Sequence, residues 1–145
     1  MIVLDTNVLS ALMRVQPDTA VVEWLDGQPS ESVWTTSVTV LEIRTGIELL
    51  SPSRRRQHLE STFDQLLEDD LEGRVLPFDV AAAEASGRMV AHQQRAGTPV
   101  EIRDAEIAGI ALSRRATVAT GNTRHFEELG VRLVNPWEPG ARPNR

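Results

Sequence analysis

The sequence predicts an α/β fold, a three-layer sandwich in which a five-stranded parallel sheet is flanked by helices. Two observations carry that expectation. Short apolar runs alternate with stretches of helical spacing along the whole chain, the order that builds a parallel sheet covered on both faces. The length, 145 residues without internal repeat, linker or low-complexity segment, suits one domain.

Residues 1–4 (MIVL) read as the first strand, ending at Asp5. Residues 7–14 and 18–27 have helical spacing around Pro17. Residues 32–36 (SVWTT) form a second strand, and 38–50 a helix whose β-branched residues also suit a strand. A charged amphipathic helix over 54–71 leads to a short strand at 74–76, Pro77, and a helix from Asp79 to Arg95. Gly97 and Pro99 punctuate the chain before a helix over 102–115, rich in small residues (Ala105, Ala108, Gly109, Ala111) that suit close packing against the sheet. Residues 117–120 are a strand, Gly121 to His125 a loop or short helix, and 131–134 the last strand. Pro136, Pro139 and Pro143 mark the end, giving a domain over 1–137 and a flexible tail over 138–145.

Composition excludes several classes. There are no cysteines, so disulfides, thiolate metal sites and cysteine catalysis are out. No apolar run spans a bilayer, and MIVLDTN has no basic flank and meets Asp5 at once, unlike a signal peptide. A cytoplasmic protein without membrane contact is expected. The net charge of −6 argues against tight, non-specific nucleic-acid binding. It leaves room for a nuclease, because metal ions at carboxylates reverse the local field. Every basic residue is Arg, equally a mark of base composition and a means of gripping phosphate bidentately. With no Tyr and only Trp24, Trp34 and Trp137 able to stack strongly, no stacking platform for single strands is expected.

Ligands of open parallel sheets bind at the carboxyl ends of strands, near the point where strand order reverses. Asp5 ends the first strand, and Asn122 lies just past the fourth. Asp5 is equally an N-cap, unless Thr6 or Asn7 takes that duty and leaves it pointing outward. Glu42 shares a helical stripe with Val38, Thr45 and Leu49, mostly not a solvated one, and Gly46 leaves space beside it. The bland alternative is an exposed Glu paired with Arg44 or Arg14. Asp104 lies in a first helical turn with Ile107, Ala108 and Ala111 on its side, where the helix dipole alone favours an acid. Together these are three acids at the edges of apolar elements. Crowded carboxylates repel, so they protonate or bind a cation. A hard divalent ion, Mg²⁺ or Mn²⁺, would activate water and stabilise charge on a phosphodiester.

The stretches LDTNVLS (4–10), TTSVTVLEIRTGI (35–47), RDAEIAGIA (103–111), ATGNTRHF (119–126) and VNPW (134–137) run through almost the whole chain. In order and spacing they resemble a PIN-domain protein of the VapC toxin family. The resemblance implies an Mg²⁺-dependent endoribonuclease, the toxin half of a toxin–antitoxin pair, forming homodimers and complexes with a cognate antitoxin. Asp5 and Asp104 would be the main metal ligands. Glu42 would complete the site directly, through water, or by orienting the attacking water. The products would carry a 3′-hydroxyl and a 5′-phosphate. The family often has a further acid after the fourth strand; here Asn122 occupies that region and His125 another sometimes acidic position. An amide orients or ligates without charge; its bland alternative is a cap for the short helix near Thr123, and that of His125 a surface or core-edge residue. Thr120 would hydrogen-bond water or phosphate. Arg103 and Arg124 would hold phosphate oxygens, and Arg54–Arg55–Arg56 is either a solvated run or an RNA-backbone contact. Two rivals remain: a non-catalytic RNA- or partner-binding module, and a phosphotransfer switch, against which the absence of any Lys weighs heavily.

Overall fold

The computed structural model describes residues 1–143. Its strands are β1 (Ile2–Leu4), β2 (Val33–Thr36), β3 (Val75–Leu76), β4 (Thr117–Ala119) and β5 (Arg132–Val134). Its α-helices are α1 (Thr6–Leu12), α2 (Thr19–Asp26), α3 (Ser37–Glu48), α4 (Arg54–Gln65), α5 (Val80–Arg95) and α6 (Ile102–Ser113). All strand pairs are parallel, in the order β3-β2-β1-β4-β5. The chain lays β1, β2 and β3 toward one edge, then crosses to the far side of β1 for β4 and β5. The winding therefore reverses between β1 and β4, where Leu4 pairs with Ala119, and a parallel sheet opens a crevice at such a point.

Successive strand residues point to opposite faces, and the core divides accordingly. Val3, Val118 and Leu133 join Ala82 and Met89 of α5 and Ile107 and Ile110 of α6. Leu4, Ala119 and Val134 join Val8 and Leu9 of α1, Ile43 and Ile47 of α3 and Phe63 of α4. Two apolar clusters separated by one sheet are the three layers expected. The turns entering α1, α3 and α5 end on capping side chains: Asp5, Thr36 and Asp79 accept from the N–H groups of Thr6, Thr39 and Ala82 at 2.8, 3.1 and 3.0 Å. Among the described residues no helix is long and apolar enough to cross a membrane.

Two local expectations are corrected. The helix expected over 54–71 stops at Gln65 and continues as a single π turn over Leu66–Asp70. The Leu71 N–H reaches the Leu66 carbonyl at 2.8 Å, five residues back, which turns both leucines inward, and both are buried. A further short 3₁₀ turn, Glu127–Leu129, precedes β5. Toward the end of the chain Pro136 is buried and the Trp137 indole donates to Asp18 Oδ2 at 2.9 Å. Within the tail expected over 138–145, Ala141 packs against the second cluster; residues 144–145 lie outside the described residues.

The second correction concerns the small residues of α6. Gly109 packs against α5 rather than the sheet: a β-carbon there would collide with Ser86 Oγ and lie 2.6 Å from the Ala82 carbonyl oxygen. Ser86 cannot turn away without losing its 2.7 Å bond to the Ala105 carbonyl. Gly109→Ala is expected to cost about 2–3 kcal/mol through overpacking and to lower the thermal midpoint by about 5–10 °C. Gly87→Ala, in open space on α5, is the control and should be neutral or mildly stabilising. Equal midpoints for the two variants in a thermal melt would contradict the close approach.

Candidate functional site

Asp5, the first residue after β1, is buried, with 5% of its surface exposed. Its Oδ1 accepts the Thr6 N–H at 2.8 Å, and its Oδ2 accepts the Thr120 hydroxyl, also at 2.8 Å. Asp5 is therefore both cap and site residue; neither Thr6 nor Asn7 relieves it. The Asn7 amide donates to Thr120 Oγ1 at 3.1 Å and approaches Asp5 Oδ2 at 3.5 Å, while its oxygen accepts the Gly121 N–H at 3.2 Å. These bonds lace the end of β1 to the end of β4 across the switch point.

Glu42 approaches from α3. The Thr6 hydroxyl donates to its Oε1 at 3.1 Å, and Arg103 stands 4.0 Å from its Oε2. Neither Arg44 nor Arg14 is its partner: Arg44 pairs with Asp64 at 3.3 Å and lies over the Phe63 ring. The stripe assigned to Glu42 is more solvated than expected, since Thr45 is exposed and Leu49 is 81% exposed. The buried face of α3 is Val38, Thr39, Ile43 and Ile47, which leaves Glu42 at its margin. Asp104 stands in the first turn of α6, half-buried, with His125 Nδ1 3.3 Å from its Oδ2. Its backbone N–H is capped by Glu101 Oε2 at 3.2 Å.

The electrostatics tie the acids together. Burial pushes the Asp104 carboxyl up to about 6, with the charges of Asp5 and Glu101 adding to it and His125 opposing. Burial raises Glu42 too, against the Thr6 hydrogen bond and with the charge of Asp5. It also raises Asp5 despite the bonds from Thr120 and Thr6. Among the described residues, no three Asp, Glu, His or Cys side chains already stand together tightly enough to hold an ion. His125 and Arg103 are the basic neighbours of Asp104 and Glu42. The Thr120 hydroxyl, buried and taken up by Asp5, Asn7 and Asn122, does not face water or phosphate as expected; the carboxylates alone suit a hard cation that keeps several waters and needs only one or two of them, as Mg²⁺ does.

Asn122 is exposed and its side chain does not cap the 3₁₀ turn at Thr123–His125; its N–H instead donates to Thr120 Oγ1 at 3.0 Å. Arg124 and His125 share with Glu101 and Asp104 a cavity of about 300 Å³. A larger cavity of about 660 Å³ lies between α2 and the end of α4, lined by none of these acids, so size does not locate the chemistry. Thr6 and Asn7 enter the sequence reading only as alternative helix caps, and Glu101 not at all. The signals lay beside the acids, in the two residues after Asp5 and in an acid immediately before a helix start.

A buried aspartate at a parallel-sheet switch point, with two further acids brought to it by flanking helices, defines an acidic oxygen-donor site on an α/β scaffold. The chain belongs to the PIN-domain family, whose sequence pattern matches residues 2–131. It is 37% identical to VapC ribonuclease Y4jK of Sinorhizobium fredii, over 96% of this chain and 99% of that protein. It is 36% identical to toxin FitB of Neisseria gonorrhoeae, over 94% and 99%. The fold superposes on a solved structure of FitAB bound to the IR36 DNA fragment with a TM-score of 0.86, at 35% identity, covering 96% of this chain and 97% of that one.

Proposed function

We propose that this chain is a VapC-type toxin, an endoribonuclease that hydrolyses RNA phosphodiester bonds at the Asp5–Glu42–Asp104 mouth with Mg²⁺ (Mn²⁺ as a substitute), and that a cognate antitoxin neutralises it. The observation that carries this reading is three carboxylates, at the end of β1 and on α3 and α6, close enough that the charge of Asp5 acts on both others, though no three yet stand at ion-binding distance among the described residues. Similarity to a ribonuclease named VapC and to a toxin supports the substrate class and the biological role. The family resemblance adds a homodimer acting in the cytoplasm.

Asp5 and Asp104 would hold the ion, joined by Glu42 directly or through water. When bound, the ion supplies charge stabilisation to the phosphodiester and lowers the pKa of a water. Asp5 is oriented in advance by Thr6 and Thr120, so little reorganisation remains for the reaction. Thr6 engages Glu42 Oε1 and Arg103 stands 4.0 Å from Oε2, which holds the carboxylate in place to join the ion or orient the attacking water. Arg103 and Arg124 flank the mouth and would hold phosphate oxygens, while Asn122, without charge, would act on orientation alone. Attack of water on phosphorus breaks the P–O3′ bond, leaving a 3′-hydroxyl and a 5′-phosphate.

Purified protein incubated with cellular RNA and Mg²⁺ should yield fragments with those ends, and EDTA should suppress them. The lack of a ready-made three-acid cluster among the described residues favours one rival, a non-catalytic RNA- or partner-binding module. RNA left intact in both Mg²⁺ and Mn²⁺ would establish that rival and remove the nuclease.

A further inference from the structure

A groove of about 340 Å³ leaves the acidic mouth at Thr6 and Glu42, passes Ser10 and Gly46, and ends at Arg14 and Arg55. Three helices line it in step: Thr6 and Ser10 on α1, Glu42 and Gly46 on α3, and Arg55 and Leu59 on α4 are each one turn apart. A hollow of about 520 Å³ continues from Arg14 and Arg55 to Arg54 and His58. The two share Met13, Arg14, Arg55 and Leu59, so they adjoin and together make up a channel. A β-carbon at Gly46 would meet nothing within 4 Å, which leaves the middle of the channel open.

The charge at its far end runs against the rest of the molecule. The chain carries −6 overall and has only Arg14 and Arg44 as cations in its first 50 residues, yet Arg14 sits beside Arg54 and Arg55. Arg54 and Arg55 also occupy the first turn of α4, where the helix dipole disfavours positive charge. Their neighbour Arg56 is compensated by Glu48 at 2.8 Å, Glu60 at 2.9 Å and the Leu50 carbonyl at 2.9 Å. Arg14, Arg54 and Arg55 make no ion pair with a described residue. Unpaired cations, placed at a cost at the end of a groove that begins at a nuclease-like mouth, fit a polyanion threaded from that mouth.

We infer that this channel is the track for the RNA strand flanking the scissile phosphate, with Arg14, Arg54 and Arg55 on successive phosphates; the inference rests on the ribonuclease reading. Each guanidinium on a single-strand phosphate adds about 0.7 to the salt slope of log affinity. The triple variant Arg14→Gln/Arg54→Gln/Arg55→Gln should therefore show a slope shallower by about 2. It should bind about 100-fold more weakly near 0.1 M salt and equally near 1 M.

The probe is a labelled oligouridine of about 20 nucleotides, titrated in EDTA over a salt series, so that binding is read without cleavage. A control, Arg88→Gln/Arg95→Gln/Arg132→Gln, makes the same charge change at exposed positions on α5 and β5. Gly46→Leu should weaken binding at every salt concentration while holding or raising thermal stability, which separates obstruction of the channel from misfolding. If the Arg14/54/55 variant matches the control in slope and affinity, the track is wrong even where the wild type cleaves RNA. If it keeps RNA affinity but loses the antitoxin or dissociates into monomers, the surface serves a protein and the track is equally wrong. If it loses affinity as expected while the wild type cleaves nothing in Mg²⁺, the nuclease reading falls, and the channel is an RNA-binding surface with no scissile phosphate to flank.

Discussion

Asp104→Asn is expected to abolish RNA cleavage and at the same time raise the thermal stability of the metal-free protein. Both effects come from one feature. Asp104 is partly desolvated and faces the charges of Asp5, Glu101 and Glu42, with His125 as its basic neighbour. Under the proposed function that repulsion would be the attraction for a cation; in the metal-free chain it is strain. Asn keeps the size and removes the charge. Cleavage should fall about 100- to 1000-fold, the range typical for deleting one preorganised electrostatic group. The thermal midpoint in EDTA should rise by about 2–4 °C for each kcal/mol of repulsion relieved. Added Mg²⁺ should stabilise the wild type more than the variant. A variant that cleaves normally would remove Asp104 from the site. One that is inactive but less stable than the wild type would instead show Asp104 to be a structural acid.

The second large effect is on pH. The Asp104 carboxyl, moved from an ordinary value of 3.8 to about 6, must be ionised to hold a cation. Cleavage should fall about tenfold per pH unit below 6, more steeply once Glu42 and Asp5, also raised, take up protons. The stability of the metal-free protein should move the other way. Between the two values the folded state binds more protons at Asp104 than the unfolded state does, so stability falls as pH rises through that window and levels above it. Thermal melts of wild type and Asp104→Asn in EDTA, compared at several pH values, isolate this contribution: the variant should lack much of the decline. Cleavage independent of pH between 5 and 7 would mean that no raised carboxylate governs the reaction.

Much of the fold was legible before any coordinates. The apolar runs at 1–4, 32–36, 117–120 and 131–134 each contain a strand, and Asp5, Thr36, Ser53 and Asp79 cap helices near the expected starts. Such features depend on a residue and its near neighbours, through spacing and the need to satisfy the first N–H groups of a helix. The candidate acids were legible for a related reason, since Asp5 and Asp104 stand where a strand ends and a helix begins. Partners were not legible. Arg44, two residues on, and Arg14 were the sequence-based choices for Glu42, and the fold supplies Thr6 and Arg103 instead. Gly109 looked like sheet packing and proved to meet α5.

By itself the amino-acid order determined the alternation of strand and helix, the helix starts and the places where acids interrupt apolar elements, because each depends on periodicity and capping within a few residues. Only the tertiary structure decided that β4 lies against β1, and hence that Thr120 donates to Asp5 and Asn7 bridges to Thr120 across 113 residues of chain. It likewise decided that unpaired arginines close a groove opening beside Glu42. Those contacts follow from strand order and the seating of helices on two sheet faces, which sum many weak apolar contacts over the whole molecule and leave no mark in any short stretch of chain.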